Sequence, residues 1–318
     1  MKGKYQFKQF SSRPQDEAEN EKVFALGPVL GIEVTVLALA NRCIGNLDHH
    51  GPDSTVETPS ACEQALTCKL PPDGTVLATI RPDADSVTAM AIFAALAEGK
   101  VVDAELVREI GAFDRLGPAA GRPDGRVIAI ARKAMEFKTP LANRVEWIKL
   151  HITGETNGPE ARALVEAHDR ELAEARAASE ISLEIFGKVA VVVSTHRYAT
   201  TLGYESSPVV IAKNPAMPVD QRAPDKGVYV KYTVCRYDSH VPCDLPAVLR
   251  ELQALESGWG GRDNIIGSPQ GVSSTLTLKQ VLEAVSHHLP FEWTSSTETC
   301  PECGGERTKK ITCPHCGA

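Results

Sequence analysis

The stretch TVLATIRPDADSVTAMAIFAALAEG (75–99) constrains the fold of this 318-residue chain more than any other. A β-rich apolar run ends at Ile80 and a short polar turn follows. Val87, Met90, Ala91, Ala94 and Ala95 then recur on one helical face, with Gly99 as the stop. A strand that passes within a few residues into a helix is half of a βαβ unit, and such units stack into a parallel sheet. The runs IEVTVLALA (32–40) and RVIAIA (126–131) read as further strands among Ala-rich helices. Residues 23–157 are therefore expected to form one α/β domain with a largely parallel sheet. Residues 1–22 hold no apolar core and read as a mobile tail or an edge segment, with Tyr5, Phe7 and Phe10 as its docking candidates.

A long polar helix is expected next, as a connector over 158–186. Asn157-Gly158-Pro159 opens it, and Leu164, His168, Leu172 and Ala175 follow at helical spacing. His168 reads as a helix-face residue without a ligand role. A second α/β domain, with a mixed sheet, is expected over 187–292. KVAVVVS, SPVVIAKN and GVYVKYTVCRY are its strands. DLPAVLRELQALESG is an amphipathic helix capped by Asp244, and TLKQVLEAVSHHL a helix with Thr277 and Gln280 in capping-box spacing. His287 and His288 fall at the end of that helix, where they favour the negative end of its dipole.

Four of the nine cysteines close the chain in TCPECGGERTKKITCPHCGA. Cys300-x-x-Cys303 and Cys313-x-x-Cys316 each form a knuckle, and two knuckles make the closed tetrahedral thiolate site that Zn²⁺ prefers; a redox pair is the lesser alternative. So short a segment (296–318) has almost no core, so structural Zn²⁺ would supply its folding energy. The unit resembles a zinc ribbon, a surface for nucleic acid, a protein partner or a second copy in a homodimer. Scattered remaining cysteines fit a reducing cytoplasm. No apolar run approaches a membrane span. The formal charge of −7 argues against a generally basic nucleic-acid coat, though a local basic groove or bound divalent cations can outweigh it.

Three acidic or histidine-bearing segments stand out. Asp83 and Asp85 sit in the turn after a strand, where open parallel sheets bind ligands. Two carboxylates there either share a divalent cation or serve as a helix cap and a solvated group. NLDHHGPDS (46–54) places Asp48, His49 and His50 in a row. IGAFDRLG (110–117) places Asp114 in what reads as a loop at an element's end.

Together, Pro82-Asp83-Ala84-Asp85 and Asp48-His49-His50 resemble the hallmark motifs of the DHH-type phosphoesterases, which include RecJ-type exonucleases, oligoribonucleases, cyclic-dinucleotide phosphodiesterases and family II pyrophosphatases. Asp114 is a candidate for one of that family's single aspartates. The second domain is similar to the DHH-associated domain, with Arg236 on a strand and Gly260, Gly261 and Arg262 in a glycine loop. The likeness spans roughly residues 30 to 290. The order of the motifs is inverted, Thr79 stands where the family usually has a metal-binding histidine, and Arg262 replaces the histidine of the glycine loop.

The resemblance implies a hydrolase with two Mn²⁺ or Mg²⁺ ions held by His49, Asp83, Asp85 and Asp114. Asp48 would orient His49, and His50 would lie beside the scissile phosphate. Arg81, Arg236, Gly260, Gly261 and Arg262 would bind substrate, a nucleotide or short single-stranded nucleic acid, with the second domain closing over it. For Arg262 a plain surface role is the alternative, and Trp259 either stacks a base or packs in the core. The second functional expectation is a catalytically weakened relative that binds nucleotide, nucleic acid or a protein partner.

Overall fold

A computed structural model describes residues 4–50, 57–120, 123–155, 158–220, 223–237, 241–290, 297–299 and 306–308. It divides into two compact units, Met1–His168 and Asp169–Ala318. The two units are α/β, with a parallel four-stranded sheet in the first and a separate mixed six-stranded sheet in the second.

The first unit runs β1 (Gln6–Gln9), α1 (Glu17–Phe24), β2 (Val29–Ile32), α2 (Leu37–Ala40), β3 (Gly45–Leu47), α3 (Ala61–Ala65), β4 (Val76–Thr79), α4 (Ala84–Ala97), α5 (Ala104–Leu116), α6 (Gly125–Ala134) and α7 (Leu141–Ile152). The sheet order is β1-β4-β2-β3, with every pairing parallel. All four residues of β4 are buried, because the sheet is covered on both faces. Leu77 points into a core built with α4 to α7, around Met90, Phe93, Ile110, Ile130 and Ile148. Val76 and Ala78 point the other way, to Phe10, Val23 and Leu39.

Three expectations change here. The run RVIAIA is helical, within α6: Val127 and Ile130 are buried at i, i+3 spacing, and Asp124 caps the start by accepting from the Arg126 amide at 2.6 Å. Of IEVTVLALA only Ile32 is strand. The chain breaks at Glu33, whose φ is +54°, and re-forms as α2. The segment before residue 23 supplies β1, so its edge reading applies: Tyr5 and Phe10 are buried and the Tyr5 hydroxyl donates to the Pro71 carbonyl at 2.9 Å.

The expected connector is α8 (Gly158–Ala177), and the division between units falls within it. The end of the 158–186 connector range is instead a strand, β5 (Glu180–Glu184), which pairs antiparallel with the next. The second unit continues with β6 (Val189–Val193), α9 (Ala199–Tyr204), β7 (Val209–Pro218), β8 (Val228–Arg236), α10 (Leu245–Leu255), β9 (Gly260–Arg262), β10 (Ile265–Gly267) and α11 (Leu278–His287). The sheet order is β5-β6-β7-β8-β10-β9, and only β6 and β7 run parallel. Asp244 caps α10 by accepting from the Ala247 amide at 3.0 Å, and Thr277 and Gln280 form the capping box of α11. The two helices bury Leu245, Val248, Leu252, Val281 and Val285 in one core with the sheet. Among the described residues no helix is long and apolar enough to cross a membrane. Cys300, Cys303, Cys313 and Cys316 lie outside the described residues.

Candidate metal centre

The carboxyl ends of β2, β3 and β4 deliver Glu33, His49 and His50, and the Asp83–Asp85 turn to one place, where open parallel sheets bind ligands. Glu33 follows β2 directly and is 5% exposed. Its left-handed backbone costs a side-chain-bearing residue about 1–3 kcal/mol. The surroundings impose that conformation. The Glu33 amide donates to the Leu47 carbonyl at 2.8 Å. Next to it, the Asn46 side chain clasps Val34 through both its amide and its carbonyl, each at 3.2 Å. Gly31 makes room for that clasp, since a Cβ there would stand 2.5 Å from the Asn46 Oδ1.

Both histidines of Asp48-His49-His50 turn their Nε2 atoms onto a single oxygen, Glu33 Oε1, each at 3.1 Å. The two rings lie 4.2 Å apart. His49 Nε2 is also 3.1 Å from Asp114 Oδ2 and 3.9 Å from Asp85 Oδ2. Asp114 is not in a loop, as the sequence suggested. It sits in the last turn of α5, which Asp103 caps by accepting from the Leu106 amide. Glu33, His49, Asp85 and Asp114 thus offer donor atoms that all lie within 4.8 Å of one another, and Glu33, His49 and His50 form a second such set. These residues could hold a metal ion. At metal–ligand distances of about 2.1 Å, neighbouring donors of an octahedral ion stand about 3 Å apart, close to the spacing seen around His49 Nε2.

The electrostatics show what an ion would relieve. Burial pushes the Glu33 carboxyl well up, against the pull of the two histidines, and the charges of Asp83 and Asp85 add to the rise. Burial opposes protonation of His49, but its hydrogen bonds to Asp114 and Glu33 and their charges outweigh it and hold the imidazole far above its usual value. His50 is raised chiefly by its bond to Glu33, with burial opposing. These shifts favour protons on the imidazoles and on the Glu33 carboxyl, and a bound cation would compete with those protons.

The remaining expected site residues have other places. Asp48 Oδ1 accepts from the His50 amide at 2.9 Å and shapes the turn. Asp83 caps α4, accepting from the Ser86 amide at 3.1 Å and hydroxyl at 2.8 Å, and belongs to neither donor set. Asp85 is fully buried, and its two oxygens accept from Ser60 Oγ (2.7 Å), Ala61 N (2.7 Å) and Cys62 N (2.8 Å). It anchors the start of α3, leaving the Oδ2 face turned towards His49. Thr79 is buried at the end of β4, its hydroxyl donating to the Arg81 carbonyl at 3.3 Å, and the Arg81 side chain is exposed beside the turn.

In the second unit, Arg236 spends its Nη1 on the carbonyls of Val241 (3.3 Å) and Cys243 (3.2 Å). Gly260, Gly261 and Arg262 form the exposed strand β9 of a hairpin with β10. A Cβ on Gly261 would fall 2.2 Å from the Ile265 carbonyl oxygen, so glycine there serves the hairpin's own close approach. Trp259 is a core residue, with its Nε1 donating to Glu256 at 2.8 Å. His287 and His288 each hold one oxygen of Glu251 at 3.0 Å.

Sequence reasoning missed Glu33. Its signal was present: one acidic residue inside an otherwise apolar run, where a charge is expensive unless it has partners. No family model matches the chain, and no curated protein compared with it does.

Proposed function

We propose that this protein is a divalent-cation-dependent phosphoesterase of the DHH type, acting on a nucleotide or short single-stranded nucleic acid. The observation that carries the proposal is the convergence of both DHH imidazoles with Glu33, Asp85 and Asp114 at the carboxyl edge of a parallel sheet. Mixed imidazole and carboxylate donors fit Mn²⁺, with Mg²⁺ the harder alternative. A bound cation supplies Lewis-acid neutralisation of phosphoryl oxygens and a water nucleophile at neutral pH.

The chain's own residues do the rest. His50, about a third exposed, borders the cluster on its open side and is placed to donate a hydrogen bond or a proton to a phosphate ester. Exposed Arg81 adds a cation able to fork onto phosphate oxygens. Asp83 caps α4 and Asp85 anchors the start of α3, and these bonds support the turn beside the donors. The terminal Cys300, Cys303, Cys313 and Cys316 are proposed to hold a structural Zn²⁺.

The test is Mn²⁺-dependent hydrolysis of bis-p-nitrophenyl phosphate and of short oligonucleotides by the purified protein. Activity that vanishes in His49→Ala and Asp114→Asn, with folding intact, supports the proposal. Mn²⁺ binding without hydrolysis of either substrate class overturns it in favour of a nucleotide- or partner-binding protein.

A further inference from the structure

Two-ion centres need two sets of donors, and the arrangement of donors here points to a different count. The described residues contain two sets, but both include Glu33 and His49. His49 offers the cluster one lone pair, on Nε2, and so serves one ion. No set holds His50 together with Asp114. Around one ion, opposite donors are separated by only about 4.2–4.4 Å. An ion seated by His49 and Asp114 therefore leaves His50 outside its coordination.

Among the described residues, a second ion would keep only His50 and a share of Glu33. Among the described residues no aspartate joins His50 in a donor set, and the nearby ones have other tasks. Asp85 already accepts three hydrogen bonds at the start of α3, Asp83 caps α4, and Asp48 closes its own turn. Buried Thr79, with its hydroxyl on the Arg81 carbonyl, adds no imidazole. Two protein donors fall short of the three that open catalytic metal sites usually supply.

We propose that the centre is mononuclear: one divalent cation held by Glu33, His49 and Asp114, with the Asp85 Oδ2 face beside it and His50 left free for the substrate. This rests on the metal-dependent reading above and replaces the two-ion expectation drawn from the family likeness. Glu33 becomes the ligand that makes a single-ion site sufficient. It is held within reach of His49 by a strained backbone and the Asn46 clasp.

The experiment uses the full chain. Mn²⁺ is counted by equilibrium dialysis, zinc is counted separately by elemental analysis, and the bound Mn²⁺ is examined by electron paramagnetic resonance. The expected result is one Mn²⁺ per chain with the hyperfine pattern of an isolated ion. His50→Ala should keep that ion with its affinity changed less than about threefold, whereas Glu33→Gln and Asp114→Asn should each lose roughly tenfold or more. Asp114, a quarter exposed and at the end of α5, keeps the test valid should Glu33→Gln fail to fold. Two Mn²⁺ per chain with an exchange-coupled spectrum, or loss of the ion in His50→Ala, overturns the single-ion inference while leaving the metal-dependent reading in place. No Mn²⁺ bound by the unaltered chain overturns both.

Discussion

Arg115 grips Glu63 with two nitrogens, Nε at 2.9 Å and Nη2 at 3.2 Å, one residue along the helix from Asp114. Glu63 also accepts from the Ser60 amide, and the Ser60 hydroxyl donates to Asp85. Gly111 lets α5 come this close, since a Cβ there would meet Ser60 Oγ at 2.6 Å. The helix that carries Asp114 and the anchor of Asp85 are thus parts of one frame.

Arg115→Lys keeps the charge but loses the fork. It is expected to weaken Mn²⁺ binding by roughly tenfold, as loss of a supporting contact behind a ligand does. Titration calorimetry measures this, with far-ultraviolet circular dichroism as the check on folding. Unchanged affinity would show that the fork does not position Asp114.

Glu33→Gly should separate stability from function. Glycine adopts the left-handed backbone at Glu33 freely, and the change removes a buried carboxyl. The relief of about 1–3 kcal/mol of strain is offset in part by the greater freedom of glycine in the unfolded chain. The metal-free variant is expected to melt no lower than the parent while its Mn²⁺ binding is lost. A clear drop in melting temperature would mean that the Glu33 side chain is needed for folding.

Metal affinity should keep rising with pH well beyond the range where an ordinary histidine stops mattering. His49 must shed its proton to bind a cation, and Asp114 and Glu33 hold that proton far above the usual imidazole value. The apparent Mn²⁺ affinity is therefore expected to climb from about pH 7 to about pH 9, where an unperturbed histidine near 6.5 would give a plateau. Calorimetry in buffers of different ionisation enthalpy would show the released protons. A plateau near neutrality would count against the hydrogen-bonded imidazolium.

Glu256 offers a stability test away from the centre. Its carboxylate accepts from Trp259 Nε1 (2.8 Å), Ser274 Oγ (2.7 Å), Thr275 N (2.6 Å) and Thr275 Oγ1 (2.9 Å). Burial pushes its pKa up, but these bonds outweigh burial and hold it below the ordinary value. A depressed carboxyl stabilises the fold fully above the unfolded value of about 4.3, and the contribution disappears as pH falls through the lower folded value. Glu256→Gln should cost about 1–3 kcal/mol at neutral pH, read from urea midpoints, and the gap should narrow in acid. A gap independent of pH would remove the ionised carboxylate from the explanation.

Much of this architecture is legible in the sequence, and the exceptions have physical causes. The strand–turn–helix of residues 75–99 declares itself because β4 is apolar on both faces and α4 is apolar almost all round. The caps at Asp244 and Thr277 follow from local hydrogen bonding alone. RVIAIA misleads because a short apolar run fits either period, and only tertiary packing of Val127 and Ile130 decides for helix. Asp114 is recognisable as a site residue but not as a helical one, since a glycine three residues on reads as a loop until it is seen ending α5. Glu33 is flagged only by its charge within an apolar run, and its role as a site residue depends on the left-handed backbone that bends the chain out of β2.

The parallel pairing of β1 with β4 has a practical bearing on how this chain is handled. Gln6–Gln9 covers one flank of the strand that leads into Pro82-Asp83-Ala84-Asp85. Trimming the chain to residue 23, a natural first choice for a shorter version, would turn β4 into a bare rim with unmet amides and carbonyls. Such rims recruit other chains. Aggregation of a shortened protein, or a dead assay from it, would then report a missing neighbour strand rather than a defective centre.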